Sequence, residues 1–255
     1  MTSTATNGRS AGGNGLAIGI VPARGGSTRV PRKNMKLLGG LPLIAHTLIS
    51  ARQALELDRL VVSTDDEQIA EVARAHGAEV PFLRPAELAR AETPDLPVFQ
   101  HALGWLAEHD GYRPEYVIHL RPTQPFRPPA MIDEVVRLLR TSGADCVKSL
   151  VPVAQHPHKM WKLDAAGRPG PLLDTPLWRQ VGPDCAGQFL EPVYWSAGLV
   201  DGIRSDVILA GSTIGQHVEP YFVDEELCAE LDTPHHFVIA EAIFEHLREK
   251  GVLTV

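Results

Sequence analysis

The densest group of chemically useful residues is the segment VPARGGSTRVPRKN, residues 21–34, which directly follows the apolar run GLAIGIV. Its paired glycines, Gly25 and Gly26, let backbone N–H groups come close to phosphate oxygens. Asn34 adds a donor and an acceptor that suit a base or a sugar. Four cations that can neutralise phosphate charge surround these residues: Arg24, Arg29, Arg32 and Lys33. The segment favours a phosphate-binding loop over its alternative, a solvated and positively charged turn.

The loop does not match the common nucleotide-binding motifs. It is not GxxxxGK[ST], so a P-loop ATPase is not indicated, and it lacks the GxGxxG fingerprint of dinucleotide-binding proteins. The whole chain carries a net charge of −7, whereas nucleic-acid-binding proteins present a basic surface. We therefore expect a small anionic ligand and no nucleic-acid partner.

The composition is that of an ordinary globular protein. With 255 residues, of which 44% are hydrophobic and 22% charged, the chain can bury one sizeable core. Its three cysteines (Cys146, Cys185 and Cys228) lie far apart, which argues against a disulfide framework or a structural zinc site. No apolar run approaches the length of a membrane span, and residues 1–14 lack the apolar centre of a signal peptide. We expect a cytoplasmic protein with a disordered tail over residues 1–14 and no membrane partner.

Strand and helix patterns alternate along the rest of the chain. Predicted strands cover residues 16–21, 58–63, 115–120 and 145–151, with further segments near 193–195 and 199–209, and predicted helices cover residues 43–55, 65–76, 96–109, 130–141 and 234–250. This alternation predicts an α/β fold: a doubly wound, mostly parallel sheet of the nucleotide-binding, Rossmann-like type. Residues from about 152 to 195 change character and predict a small inserted cap or dimerisation lobe. The prediction is thus a single domain over residues 15–255.

Three polar loops follow predicted strands, at residues 23–34, 63–66 and 121–127. In open parallel sheets, ligands bind outside the carboxyl ends of the strands, near the switch in strand order. We therefore expect the three loops to meet and to form the functional site.

Several motifs resemble one known family, and they occur in the expected order over nearly the whole chain after the tail. They are GIVPARGGSTRVPRKNMKLLGGLPLIAHTL, VVSTDDEQIAEVARAHGAEVPFLRPAELA, LRPTQPFRPP, HPHKMWKLD, PVYWSAGLVDGIR and ELDTPHHFVIAE. Together they are similar to the acylneuraminate cytidylyltransferase family, the CMP-sialic acid synthetase-like enzymes. The resemblance implies a nucleotide-binding α/β fold, a Mg²⁺ requirement, a homodimer, and transfer of CMP from CTP to a sugar acid.

The resemblance also assigns nucleotide-binding residues by position. They are Ala23, Arg24, Gly25, Gly26, Ser27, Lys33, Asn34 and Arg84. Arg24, Ser27 and Lys33 would contact the triphosphate, and Asn34 would lie near the cytidine. Arg24 and Lys33 would also be catalytic, by stabilising charge on the leaving pyrophosphate. For Arg84, which precedes Pro85, the alternative is an ordinary surface charge.

An acidic pair near the end of the chain is the expected metal site. Where the family has Asp-x-Asp, this chain has Glu230-Leu-Asp232, and two carboxylates at positions i and i+2 of an extended segment face the same side. They can share one Mg²⁺ with phosphate oxygens and water. The resemblance makes Asp232 catalytic through this metal. The alternative is that Asp232 only caps the helix that begins near Pro234.

The acceptor side differs from the family pattern. The family's Leu-Gln-Pro-Thr-Ser stretch is Leu-Arg-Pro-Thr-Gln here, so that Arg121 replaces a glutamine near the acceptor. A guanidinium suits bidentate pairing with a carboxylate or phosphonate, but Arg121 can equally pair with an internal acid. Further departures are Thr28 for a lysine and Ala197-Gly198 for Asn-Gly. The expected acceptor-binding residues are Arg121, Thr123, Gln124, His158, Lys159, Arg179 and Gln180.

Three other functions remain open at this point. One is CMP transfer to a non-sugar acid such as a small phosphonate, for which Arg121 is the hint. Another is a nucleotide-sugar-using glycosyltransferase, for which the pair Asp65-Asp66 is a weak metal motif. The third is a non-catalytic nucleotide-sensing module.

Overall fold

A computed structural model describes residues 15–27 and 29–253. The predicted disordered tail, residues 1–14, lies outside the described residues, and so does Thr28. The predicted boundary of the single domain at residue 15 stays a prediction.

The four central strands and five helices predicted occur in the predicted order, with boundaries that differ by at most two residues, and shorter elements lie between them. In chain order they are β1 (Ala17–Pro22), β2 (Leu37–Leu38), β3 (Leu41–Pro42), α1 (Leu43–Gln53), β4 (Arg59–Ser63), α2 (Glu67–Ala75), α3 (Asp95–His109), β5 (Tyr116–His119), α4 (Pro129–Ser142), β6 (Cys146–Pro152), β7 (Trp161–Leu163), β8 (Pro169–Pro171), α5 (Pro176–Val181), β9 (Tyr194–Ser196), β10 (Asp201–Arg204), α6 (Ser205–Leu209), β11 (Val218–Phe222) and α7 (Pro234–Glu249).

One seven-stranded sheet forms the centre of the described chain, in the order β11-β6-β10-β5-β1-β4, with β9 paired to β6. Strand β1 pairs in parallel with both β4 and β5, and β11 pairs in parallel with β6. Strand β10 is antiparallel to β5 and β6, and it lies between them. The predicted doubly wound, mostly parallel sheet is confirmed.

Helices cover both faces of this sheet. On one face, α1, α2, α4 and α7 contribute buried residues such as Leu48, Ile69, Val135 and Phe244. On the other face, α3 and α6 contribute Phe99, Leu106 and Ile208. Strands buried on both faces read as continuous apolar runs, which is why the central strands could be predicted from the sequence.

The three parallel strands β1, β4 and β5 end at the same edge of the sheet, and the loops after them carry the predicted site. Antiparallel pairing brings the first residue of β10, Asp201, to the same edge, opposite His119 at the end of β5. The N-cap residue of helix α2, Asp66, also lies at this edge, and its carboxylate accepts hydrogen bonds from the N–H groups of Gln68 and Ile69. This N-cap holds the loop after β4 in place.

Residues 152–195 contain a hairpin of β7 and β8, the short helix α5 and strand β9. Many of their apolar side chains are exposed, including Trp161, Leu163 and Phe189. The assignment of residues 152–195 as a cap or dimerisation lobe stays a prediction. In the described ranges of the chain, every helix is too short or too polar to span a bilayer.

Candidate functional site

A cleft of about 260 Å³ opens at the edge where β1, β4 and β5 end. Its walls come from the loop after β1, the segment before and at the start of α3, and the loop after β5. The lining residues are Pro22, Arg24, Ser27, Lys33, Asn34, Arg84, Leu88, Arg90, Ala91, Thr93, Asp95, Val98, His119, Arg121, Pro122 and Thr123. The structure thus brings Arg24, Ser27, Lys33, Asn34 and Arg84 together with Arg121 and Thr123.

Two acids in the connection between β4 and α2 contact the loop after β1. The N–H of Gly25 donates to Oδ1 of Asp65 at 2.9 Å. A Cβ on Gly25 would lie 2.6 Å from Oδ2 of Asp66, so only glycine fits this close approach. The Gly25 N–H expected to face phosphate is therefore engaged with Asp65, while the exposed Gly26 has open space around it. Asn34 is buried, and its side-chain amide donates to the carbonyl of Arg24 at 3.0 Å.

The cations of this loop point in different directions. Arg24 and Lys33 line the cleft. Arg32 has a left-handed backbone conformation (φ 51°), and its guanidinium donates to Gln68 at 2.6 Å and to Asp66 at 3.3 Å. Arg32 therefore fixes the loop to α2 and does not add to the charge of the cleft. Ala23 is buried, and its N–H donates to the carbonyl of Ser63 at 3.0 Å; its assignment to nucleotide binding stays a prediction.

Asp232 reaches this loop from the far end of the chain. Its carboxylate accepts hydrogen bonds from Nζ of Lys33 at 2.8 Å and from the guanidinium of Arg29 at 3.1 Å. The bond from Lys33, together with the charge of Arg29, lowers the pKa of Asp232 below its ordinary value. Helix α7 is capped by Thr233, whose hydroxyl accepts from the N–H of His236 at 3.3 Å. The alternative that Asp232 caps this helix is wrong.

The segment before Asp232 is docked on the loop after β5. The N–H of Ala229 donates to the side-chain oxygen of Gln124 at 3.1 Å, and the N–H of Leu231 donates to the carbonyl of Thr123 at 3.2 Å. The N–H of Asp232 bonds to the carbonyl of Glu230 at 3.1 Å, which closes a tight turn. The extended geometry expected for this acidic pair is therefore wrong, and the Glu230 side chain is exposed. Gln124 is buried and positions this segment, whereas Thr123 lines the cleft.

Arg84 is a buried cation, not a surface charge. Only 7% of the residue is exposed, and its guanidinium donates to the hydroxyl of Ser63 at 3.0 Å and to the Ser63 carbonyl. Burial lowers the pKa of Arg84 to about 10, which leaves it protonated at neutral pH. A cation fixed in this way at the wall of the cleft can attract an anionic ligand.

Arg121 lies where the cleft meets the start of β10. Its guanidinium donates to Asp201 at 3.2 Å and lies 3.6 Å from Asp95. Asp201 is 1% exposed and also accepts from Lys148 at 2.6 Å. Burial favours the neutral acid, but Lys148 and Arg121 outweigh it, so the pKa of Asp201 is below its ordinary value. Arg121 thus pairs with an internal acid, as one of the two alternatives stated, while its side chain remains partly exposed to the cleft.

A glycine makes room for this guanidinium. Gly198 has φ +65°, and a Cβ there would lie 2.4 Å from Nη1 of Arg121. Where the family has a polar side chain in this stretch, the chain has the buried Ala197 and then bare backbone against Arg121.

Beneath the site, a fully buried arginine joins three segments. Arg127 donates to the carbonyl of Leu199, to the carbonyl of Arg121 at 3.2 Å and to the hydroxyl of Thr47 at 3.3 Å. Burial lowers the pKa of Arg127 to about 9. The bonds connect the loop after β5 to helix α1 and to the segment before β10.

The predicted residues of the inserted segment are not among those that line the cleft. His158 is buried, with Nε2 3.0 Å from the carbonyl of Gly182. Arg179 forms a bidentate pair with Asp174, at 2.7 Å for each bond. Lys159 lines a separate depression of about 430 Å³, and Gln180 is exposed. Their assignment to acceptor binding stays a prediction.

Three residues of the site escaped the sequence analysis: Asp95, His119 and Asp201. The available signal was a polar residue inside or just after an apolar strand pattern, as in YVIHL for His119 and LVDGI for Asp201. What each one contacts depends on strand pairing, which the local pattern does not encode.

The sequence profile of the family described as "Cytidylyltransferase" matches residues 18–168, which is more than half of the chain. The chain belongs to the cytidylyltransferase family. The CMP-N,N'-diacetyllegionaminic acid synthase of Legionella pneumophila is 31% identical to this cytidylyltransferase over 89% of the chain and 96% of its own length. The N-acylneuraminate cytidylyltransferase of Escherichia coli is 36% identical over 52% of the chain and 30% of its own length.

Solved structures share the fold of this cytidylyltransferase. A CMP-2-keto-3-deoxy-manno-octonic acid synthetase complexed with CTP superposes with a TM-score of 0.65 at 15% identity, over 91% of this chain and 99% of that chain. At this identity the likeness shows the fold alone. The profile match and the Legionella relative confirm the predicted family, and the structural likeness confirms the predicted Rossmann-like fold.

Family membership makes the chain a nucleotidyltransferase, so the alternative of a non-catalytic sensing module is set aside. The acidic pair offered for a glycosyltransferase has other contacts: Asp65 accepts from Gly25, and Asp66 caps α2. Neither carboxylate is placed as the metal motif that this alternative needs.

Proposed function

We propose that this cytidylyltransferase transfers CMP from CTP to a nonulosonic sugar acid and releases pyrophosphate. The observation that carries the proposal is the cleft where a glycine-containing cationic loop meets the buried Arg84, with the Asp232 carboxylate bonded to Lys33 of that loop. The similarity to synthases of CMP-linked sugar acids supports the acceptor class.

The nucleotide would lie in the cleft, next to the carboxyl end of β1. Arg24, Ser27 and Lys33 would hold the triphosphate, Asn34 would lie near the cytidine, and Arg84 would add a fixed positive charge. The acceptor hydroxyl attacks the α-phosphorus in line, its proton is lost to water, and the bond to the leaving pyrophosphate breaks. Positioning and neutralisation of developing charge by Arg24 and Lys33 are the main catalytic effects expected for such a transfer.

The residues near Asp232 fit a magnesium ion by donor chemistry. Carboxylate oxygens are the ligands that Mg²⁺ prefers, and Asp232 lies within hydrogen-bond distance of the triphosphate-binding loop. Both of its oxygens pair with cations, but Arg29 is 74% exposed and can move aside. In the described part of the chain, no three metal-binding side chains cluster, so phosphate oxygens and water must complete the coordination. When bound, Mg²⁺ neutralises phosphate charge; Asp232 would hold it, and Glu230 would act through water.

On the acceptor side, Arg121 and Thr123 line the cleft and would meet the sugar acid. Because Arg121 is already paired with Asp201 and Asp95, it does not supply a spare charge that would favour a phosphonate over a carboxylate. A non-sugar acid therefore gains no support from this residue.

We further propose that the protein is a cytoplasmic homodimer in which residues 152–195 pack against a second copy. The exposed apolar side chains Trp161, Leu163 and Phe189 support such packing, since a second copy could bury them. His158, Lys159, Arg179 and Gln180 would then reach an acceptor only in the assembled dimer.

A pyrophosphate-release assay tests the function. CTP, GTP, ATP and UTP are each combined with Mg²⁺ and a panel of nonulosonic acids, Kdo-type sugars and small phosphonates. We expect release with CTP and a nonulosonic acid, loss of release on adding a chelator, and recovery with excess Mg²⁺. Release that needs another nucleotide, or only a phosphonate acceptor, would contradict the proposal.

A further inference from the structure

A second cavity of about 230 Å³ adjoins the cleft, and we call it the inner pocket. The two spaces share Asp95, His119 and Arg121. The inner pocket lies on the α3 side of the sheet and is lined by Pro94, Asp95, Leu96, Phe99, His119, Arg121, Lys148, Asp201, Ile203 and Thr213. Since it continues the cleft past Arg121, a molecule bound at Arg121 can extend into it.

One fully buried side-chain nitrogen of the inner pocket has no hydrogen-bond partner within the described part of the chain. It is Nε2 of His119, a side chain that is only 3% exposed. The nearest carboxylate oxygen, Oδ2 of Asp95, lies 3.8 Å away, which is beyond hydrogen-bond range. The ring is fixed by edge-on packing against Phe99, with 4.8 Å between centroids. Leaving a buried polar atom unpaired destabilises the protein, so its position calls for a ligand atom.

The state of this ring is set by its surroundings. Burial, reinforced by the positive charge of Arg121, lowers the pKa of His119 to about 3. The imidazole is therefore neutral at physiological pH, and a neutral ring nitrogen can donate or accept one hydrogen bond.

The charges of the inner pocket are already paired with each other. Asp201 accepts from Lys148 at 2.6 Å and from Arg121 at 3.2 Å, and Asp95 lies 3.6 Å from Arg121. A charged substituent entering the pocket would have to break one of these pairs in a buried setting. An uncharged polar substituent needs only a hydrogen bond, and its carbon atoms can pack on apolar walls such as Leu96, Phe99 and Ile203.

We propose that the inner pocket receives an uncharged hydrogen-bonding substituent of the acceptor, a hydroxyl or an amide, and that Nε2 of His119 bonds to it. This inference rests on the proposed function, since it assumes that the acceptor lies at Arg121. His119 and Arg121 are two residues apart where β5 ends, and both line the inner pocket. His119 thus becomes a residue that selects among acceptors, separate from those that bind the nucleotide.

The test compares paired acceptors, identical except that one lacks a single hydroxyl or amide substituent. For each variant, the ratio of kcat/KM for the substituted acceptor to that for the unsubstituted one is measured by pyrophosphate release. His119→Leu should lower this ratio at least about tenfold for the substituent that enters the pocket, because a site built around a hydrogen bond discriminates strongly. His119→Gln should restore part of it, and the KM for CTP should change little in both variants.

A matched control is His101, another ring with an unpaired buried nitrogen, Nδ1, which packs on Phe82 but lines neither the cleft nor the inner pocket. His101→Leu should leave the acceptor ratio unchanged, and thermal melting of all variants checks folding. If His119→Leu lowers kcat/KM equally for every acceptor pair, the proposal is overturned.

A binding measurement separates this proposal from the proposed function. The ¹⁵N resonance of the His119 ring should shift when a substituted acceptor is added without CTP, and it should not shift with CTP alone. A shift in the absence of any turnover would support acceptor binding in the inner pocket and contradict the proposed CMP transfer. Normal turnover with no shift would show that the His119 ring only packs beside Asp95. This result would overturn the proposal for the inner pocket and leave the proposed function intact.

Discussion

At the level of single residues, the cationic loop divides its charges between binding and bracing. Arg24 and Lys33 line the cleft, whereas Arg32 donates hydrogen bonds to Asp66 and Gln68. Sequence spacing identified all of them as phosphate-binding candidates, because it shows charge density but not side-chain direction. The structure therefore separates residues that the sequence treats alike.

This separation gives a paired prediction. Arg24→Ala should lower kcat by about 100-fold or more, because it removes a cation that stabilises charge on the leaving pyrophosphate. Arg32→Ala, in the same loop, should change kcat by less than about tenfold, as it weakens only contacts to α2. Steady-state kinetics with CTP and a nonulosonic acid, with circular dichroism as a folding check, measure both. Equal losses in the two variants would contradict the division.

Much of the site followed from the sequence, but not its supporting contacts. Glycines and cations after a buried strand predicted the loop, and the helical pattern over residues 65–76 predicted α2, whose N-cap is Asp66. The burial of Arg84 could not be predicted, since its partner Ser63 ends a different element. Pairings between segments far apart in the chain leave no local pattern.

At the level of elements, the predicted strands and helices were mostly right because buried parallel strands are continuous apolar runs. The insertion of antiparallel β10 between β5 and β6 was not predictable, since strand order depends on non-local pairing. Yet this insertion places Asp201 opposite His119 and so creates the inner pocket. Local patterns predicted the elements, and the pairing of these elements produced the part of the site that the sequence analysis missed.

Arg127 offers a test at this level, because it joins the loop after β5 to α1 and to the segment before β10. Arg127→Met should lower the free energy of unfolding by about 2 kcal/mol, since it leaves buried carbonyls without donors. Arg137→Met removes a surface arginine that is 55% exposed, and should change stability by less than about 0.5 kcal/mol. Urea unfolding compares the two variants. An Arg127→Met variant as stable as the wild-type protein would show that the hydrogen bonds of Arg127 add no stability.

At the level of the whole molecule, an acidic chain with a net charge of −7 lines one cleft with Arg24, Lys33, Arg84, Arg90 and Arg121. Outside this cleft, the most exposed apolar side chains include Leu163 and Phe189, both 68% exposed and both within residues 152–195. A surface of this kind is typical of an interface, whose stable form buries about 800 Å² on each partner.

The predicted homodimer can be checked by light scattering after size-exclusion chromatography. The wild-type chain should elute as a dimer, and Leu163→Glu combined with Phe189→Glu should shift it to a monomer, because buried charge without a partner disfavours the interface. Leu209→Glu, at an exposed leucine outside this segment, is the matched control and should remain dimeric. A monomeric wild-type protein would contradict the prediction.

The docking of Asp232 on the first loop has a consequence for biosynthesis. Asp232 is encoded 199 residues after Lys33, so a ribosome makes the substrate cradle long before the acid that completes it. Products that end before this position should therefore be catalytically silent, because they lack the carboxylate that bonds to Lys33.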